Sequence, residues 1–258
     1  MDTRRIMLTV AYDGTAYNGW QIQPGVATIE GVLDEKILEI TGENVHVIGA
    51  SRTDSGVHAE GAIAVFDTAS RIPAEKFAFA LNAHLPDDIR IRKSQEVPSG
   101  WHPRHAGGRK TYTYSIYNDT FELPSLRLYS HHIYGALDIE NMQKACEHFV
   151  GEHDFAAFCS AHSQCETTVR TIYDMHIELE HINSARLIRI YVTGNGFLYN
   201  MVRIIAGTLI DVGLGRLSPD DIINIIENRD RSLSGDTAPA KGLTLIGYSF
   251  DDYPKLIP

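Results

Sequence analysis

Between Val97 and Gly108 the chain carries Pro, Gly and His with little apolar periodicity. On either side of that segment, strand-like and helix-like patterns alternate. The break therefore reads as a crossover between two halves, residues 1–105 and 106–258, and it limits the fold more than any other feature. Length agrees, since 258 residues fit one large or two modest domains at about 150 residues each.

In the first half, Ile6 to Tyr12 alternates apolar and polar residues and stops at Asp13-Gly14, a turn signal. Thr28 is placed to cap a helix whose Ile29, Val32, Leu33, Ile37 and Ile40 share one face, with Gly42 as its stop. Val45–Ala50, Ala62–Phe66 and Ile89–Arg92 read as strands, and Pro73 opens a helix running to about His84. The second half opens with a strand, Lys110–Tyr117, that puts Tyr112, Tyr114 and Ile116 on one face. A helix from Ile139 to Val150 follows, with Gly151 as its stop, then strands at Thr171–Leu179 and Leu187–Val192. A helix from Leu198 to Val212, another near Pro219 and a strand at Leu243–Phe250 complete the half. The expectation is an α+β fold, each half a small antiparallel-type sheet with helices on its outer face. Gly194-Asn195-Gly196 has no following dinucleotide pattern and reads as a turn.

Composition sharpens the class. Apolar residues make up 43% and charged residues 22%, the balance of an ordinary folded domain. The start shows no signal-peptide pattern, and no apolar run is long enough to span a membrane. Three cysteines, Cys146, Cys159 and Cys165, are too few and odd in number for a disulfide framework, so a cytoplasmic location is expected. The formal net charge of −10 at first opposes a nucleic-acid partner, because phosphates are bound by Lys and Arg.

Ser51-Arg52-Thr53-Asp54-Ser55-Gly56-Val57-His58-Ala59, between two expected strands, concentrates an Arg, an Asp and a His around a glycine. Gly56 permits a positive φ that turns the chain. A cation two residues away favours the ionised form of Asp54, as a carboxylate nucleophile or base requires. The spacing alone also fits a surface loop with an ordinary ion pair.

The whole string resembles the active-site signature of the TruA-type tRNA pseudouridine synthases. Further blocks match that family in order: Ala11-Tyr12-Asp13-Gly14-Thr15-Ala16-Tyr17-Asn18-Gly19-Trp20-Gln21, Lys110-Thr111-Tyr112-Thr113-Tyr114 and Gly151-Glu152-His153-Asp154-Phe155. Phe197-Leu198-Tyr199-Asn200-Met201-Val202-Arg203 and Gly242-Leu243-Thr244-Leu245 complete the set. The resemblance implies the pseudouridine synthase fold with an active-site cleft between its halves. It also implies a cofactor-free isomerase that converts uridine to pseudouridine in the tRNA anticodon stem-loop, at positions 38–40. By the same resemblance Asp54 is catalytic, and Arg52 helps extrude the base and takes its place in the stack. Tyr112 contacts the uracil, Arg203 pairs with the catalytic Asp, and Leu243 or Leu245 lines the pocket. A homodimer, with one tRNA spanning both subunits, is implied as well.

That chemistry suits the residue types. The C1′–N1 bond breaks, the uracil turns, and C5 joins C1′, with no redox step, so neither metal nor nicotinamide is required. A carboxylate serves by attack at C1′, by attack at C6, or by assisting proton removal at C1′. Flipping out a stacked base costs roughly a few kcal/mol, which an intercalating Arg and a stacking aromatic offset. On pattern alone, however, Tyr112 reads as a core or cross-strand aromatic, and Arg203, on a mostly apolar helix, as snorkelling or paired to a buried acid.

Two rivals stand beside this reading. A non-catalytic RNA-binding module would use Tyr112 and Tyr114 as stacking platforms, but stacking needs no carboxylate. A metal-dependent hydrolase would draw on His153, Cys159, His162 and Cys165, whose spacing approaches that of zinc ligands without a second clean pair. The pairs His102/His105 and His131/His132 read as loop or surface histidines. Charge is also uneven. Arg90–Lys110 carries six basic residues against Glu96 alone, and Arg186–Arg203 has three Arg and no acid. Asp211–Asp236 holds six acids against three Arg. RNA is therefore expected on local basic strips of an acidic molecule.

Overall fold

The computed structural model describes residues 3–160, 166–182 and 185–250. The chain forms two compact units. Among the described residues, one comprises residues 3–108 and 245–250, the other Arg109–Thr244. The division expected at 105/106 lies near the first boundary, and the last strand then returns the chain to the first unit.

In the first unit, β1 (Arg4–Tyr12) lies antiparallel between β3 (His58–Thr68) and β4 (Ile89–Val97). β10 (Leu243–Ser249) pairs on the far side of β3, and β2 (Ile48–Gly49) pairs with Val65 and Ala64 of β3. Ile6, Met7, Leu8, Thr9 and Val10 are all buried, so β1 is covered on both faces. α1 (Ile29–Thr41) starts where Thr28 accepts the Gly31 N–H and ends at Gly42 in the left-handed conformation. It buries Ile29, Leu33 and Ile37 completely. α2 (Phe77–Asn82) is tied to β4 by Ala78 N–H to Ser94 Oγ (2.9 Å) and by both ends of the Asn82 amide on Ile91.

Two expectations shorten here. The strand read at Val45–Ala50 contracts to β2, because the Asp34 carboxylate takes the Val47 N–H at 2.8 Å and removes it from the ladder. The helix expected from Pro73 opens as a 3-10 turn at Ala74–Lys76, where the Lys76 N–H donates to the Pro73 carbonyl (2.8 Å), and turns α-helical at Phe77.

In the second unit, β9 (Ala185–Gly194) lies antiparallel between β5 (Arg109–Asn118) and β8 (Val169–Ile182), and β7 (Gly151–Asp154) edges β8. β6 (His131–Ile133) adds a short parallel pairing to β5. His131 and His132 are thus half-buried strand residues and not loop histidines, and His132 Nε2 lies 2.9 Å from the Asp119 carbonyl oxygen.

α3 (Ile139–Glu147), α4 (Met201–Gly213) and α5 (Asp221–Asn228) complete the unit. α4 is nearly all buried, and a Cβ on Gly213 would come within 2.7 Å of Met142 Sδ on α3. The helix expected from Leu198 starts at Met201, because Asn200 adopts a left-handed conformation (φ 60°) that stops it extending backward.

Candidate active site

The loop of residues 50–57 joins β2 to β3 and turns tightly after Asp54. Val57 N–H donates to the Asp54 carbonyl (3.1 Å), and Gly56 takes the positive φ (77°) that a glycine there permits. Arg52 is exposed, Thr53 buried and Asp54 half-buried.

The loop is held by residues 12–20, the block that opens the sequence resemblance. The Tyr12 and Thr53 hydroxyls lie 2.8 Å apart, both buried. Trp20 N–H donates to the Thr53 carbonyl (3.1 Å), and Gly56 N–H donates to the Tyr17 carbonyl (3.3 Å). Each such bond contributes about 1 kcal/mol net, but a buried partner left unmade costs more. Backbone approaches side chain-free backbone at two points. A Cβ on Gly14 would fall 2.0 Å from Val57 O, and one on Gly19 (φ +82°) 2.5 Å from Thr53 O.

Further partners steady this cradle. His58 Nδ1 accepts the Gly14 N–H (3.1 Å), with Asp13 Oδ1 3.2 Å from the same nitrogen. The Tyr17 hydroxyl donates to Asp88 (2.7 Å), and burial, aided by that carboxylate, holds the phenol well above its ordinary range. Ser51 hydrogen-bonds the Tyr248 hydroxyl, and Tyr248 stacks on Phe250.

In the second unit, Tyr112 is buried on β5 with its ring edge-on to Phe197 (centroids 5.3 Å apart). Two residues on, Tyr114 is fully buried and donates its hydroxyl to the Pro239 carbonyl (2.9 Å). Burial pushes the Tyr114 phenol far up, against a smaller opposing pull from the Arg203 charge. Arg203, in the first turn of α4, donates from Nε to the Ala238 carbonyl (2.8 Å) and from Nη1 to Asn200 Oδ1 (2.7 Å). The Asn200 amide in turn donates to Ser160 (2.9 Å), so the left-handed turn before α4 orients the guanidinium.

Leu243 and Leu245 are both buried in β10. Gly242 before them is required by Tyr114, since a Cβ there would meet Tyr114 Cζ at 2.6 Å. Of the residues named from sequence, Arg52, Asp54 and Leu245 fall in the first unit and Tyr112, Arg203 and Leu243 in the second. Sequence reading passed over the supporting roles of Tyr12, Asn200 and Gly242, although each lies in a matched block or beside one.

The basic strips have internal partners. Arg104 donates to the Gly49 carbonyl (2.9 Å), Arg186 to Asn118 (2.5 Å), and Arg189 pairs with Glu180 (2.6 Å). Arg109 lies over the Tyr173 ring at 4.4 Å. Among the described residues there is no cluster of three or more candidate metal ligands. His162 and Cys165 of the proposed cluster lie outside them. Also among the described residues, no helix is long and apolar enough to cross a membrane.

Comparison with known proteins extends these local matches. A family model described as tRNA pseudouridine synthase matches residues 8–105 and 145–251. The protein named tRNA pseudouridine synthase A of Caldicellulosiruptor bescii is 49% identical over 243 residues, covering 94% of this chain and 98% of that one. Its Bacillus subtilis namesake is 41% identical over 250 residues, covering 96% and 100%. A solved H/ACA RNP bound to a substrate RNA containing 2′-deoxyuridine is 13% identical, covering 96% of this chain and 49% of that one. Its TM-score of 0.33 is too low to bear on the fold. On the near full-length matches, the chain belongs to the tRNA pseudouridine synthase family, isomerases that convert uridine to pseudouridine.

Proposed function

We propose that the protein isomerises uridine in the tRNA anticodon stem-loop, at positions 38–40, with Asp54 as its catalytic carboxylate and without a cofactor. The observation that carries this reading is the built loop around Asp54. Two glycine approaches, a buried hydroxyl pair and a closed turn hold one half-buried carboxylate on a rigid support. Preorganisation of this kind serves catalysis more than a surface ion pair.

In this reading Arg52, exposed on the same loop, fills the space that the flipped base leaves in the stack. Tyr112 holds the freed uracil, Arg203 keeps the Asp54 carboxylate ionised, and Leu243 or Leu245 lines the pocket. The C1′–N1 bond breaks and C5 bonds to C1′. The C5 hydrogen then leaves as a proton while N1 takes one up, so the product is an isomer of the substrate. The protein works as a homodimer in the cytoplasm, with one tRNA spanning both subunits. These roles rest on family membership together with the supports described above.

The test is tritium release from tRNA carrying 5-tritiated uridine, with EDTA present and no nucleotide added. Release should match the number of target uridines, and substituting the uridines at 38–40 should abolish it. An absence of release, or release only with added metal, contradicts the proposal. Sedimentation equilibrium should give twice the chain mass of 28.7 kDa, and a monomer would refute the dimer.

A further inference from the structure

We infer that Tyr12 is a positioning residue for the Asp54 carboxylate, acting through the hydroxyl of Thr53. The inference rests on the reading of Asp54 as catalytic. Thr53 directly precedes Asp54 and is gripped at two points. Its carbonyl accepts the Trp20 N–H, and its side-chain hydroxyl lies 2.8 Å from the Tyr12 hydroxyl. The turn to Val57 holds the chain on the other side of Asp54. The peptide that carries the carboxylate is therefore constrained from both directions.

The strand ladder places Tyr12 for this contact. β1 and β3 pair in even register from Arg4↔Thr68 to Val10↔Ala62, then slip, so that Tyr12 faces Ala59. An extra residue at such a slip re-aims the neighbouring side chains, and these irregularities concentrate beside functional sites. The Tyr12 ring already packs against Trp20, with centroids 6.1 Å apart. Phenylalanine would supply that packing equally well. The hydroxyl adds a fixed partner for Thr53. Threonine is stiff about χ1, so a bond to its hydroxyl constrains the backbone on which Asp54 sits.

The experiment measures kcat, KM for tRNA and melting temperature for Tyr12→Phe, Thr53→Val, Thr53→Ser and the Tyr12→Phe/Thr53→Val double variant, with Asp54→Asn in parallel. Tyr12→Phe and Thr53→Val should each lower kcat by about 10- to 100-fold, as misplacement of a reacting group does, with KM within about twofold. Thr53→Ser, which keeps the hydroxyl but not the stiff χ1, should retain more of the rate than Thr53→Val. The double variant should be no slower than the worse single one, because both remove the same contact. A merely structural bond would lower the melting temperature and spare kcat.

Wild-type kcat in Tyr12→Phe or Thr53→Val, a loss confined to KM, or multiplicative losses in the double variant would overturn the inference. If those variants match wild type while Asp54→Asn is inactive, only the positioning role falls. If Asp54→Asn turns over normally, the catalytic reading falls and takes this inference with it.

Discussion

Gly19 and Thr53 approach so closely that a Cβ on Gly19 would lie 2.5 Å from the Thr53 carbonyl oxygen. That oxygen already accepts the Trp20 N–H, so it has little freedom to retreat. Gly19→Ala should therefore cost about 2 kcal/mol or more and slow turnover at least about 10-fold by displacing the Asp54 loop. Gly25 has nearly the same φ (+78°) but open space around it. Gly25→Ala should cost only about 1 kcal/mol of backbone strain and leave turnover unchanged. Thermal melts and steady-state rates on the pair separate strain from steric displacement, and equal behaviour of the two would count against the cradle.

Arg203 is held by two acceptors, Ala238 O and Asn200 Oδ1, which fix the plane of its guanidinium. Lysine keeps the charge but not the fork. Arg203→Lys should lower kcat/KM by about 100-fold, and Asn200→Ala, which removes one arm of the fork along with the Ser160 bond, by about 5- to 10-fold. A lysine variant with wild-type kinetics would show that charge alone suffices at this position.

The Asp67 carboxylate lies on both Nε (2.8 Å) and Nη2 (2.6 Å) of Arg5, a bidentate pair joining β1 to β3. The Arg5 hydrogen bonds hold Asp67 below its ordinary value of 3.8. Because its folded pKa is depressed, the pair stabilises the protein above the unfolded pKa and loses that effect as pH falls through the folded one. Asp67 is 46% exposed, so solvent screening limits the gain at neutral pH to less than about 1 kcal/mol. Urea unfolding of wild type and Asp67→Asn should differ slightly at pH 7 and converge as the pH falls through the depressed folded pKa of Asp67. A gap that widened in acid would contradict this.

Cys146 is fully buried on α3, and burial pushes its thiol up to about 12, with nearby Glu147 and Asp174 adding to the effect. Thiolate is the reactive form, so the residue should be inert near neutral pH. Native wild-type protein and a Cys146→Ser variant should release the same rapid thiol signal with a disulfide reagent at pH 8. After denaturation, wild type should yield one thiol more. Rapid labelling of Cys146 in the native protein would contradict its burial.

Much of this was written locally in the sequence, because the signals act over a turn or less. Thr28 and Gly42 bound α1 through caps that need only the residues beside them. Gly56 announced the turn after Asp54 in the same way. What depended on distant partners was not legible. Val47 leaves the ladder because of Asp34 on α1, and β6 exists only by pairing with β5. Tyr12 reaches Thr53 across a register slip that no spacing rule signals. Gly242 looked like part of a motif, and only the Tyr114 ring beside it gives the reason. The charge strips were only partly legible for a related reason: a count of Arg residues does not register that Arg189 is paired with Glu180.

The central claim is that Asp54 carries the chemistry, and replacing its carboxylate with an amide of the same shape tests it most directly. Asp54→Asn should release no tritium above background from tRNA carrying 5-tritiated uridine. It should still bind that tRNA within about threefold of wild type and melt within about 3 °C of it, a shift of roughly 1 kcal/mol for a chain of this size. Tritium release at the wild-type rate by that variant would contradict the account.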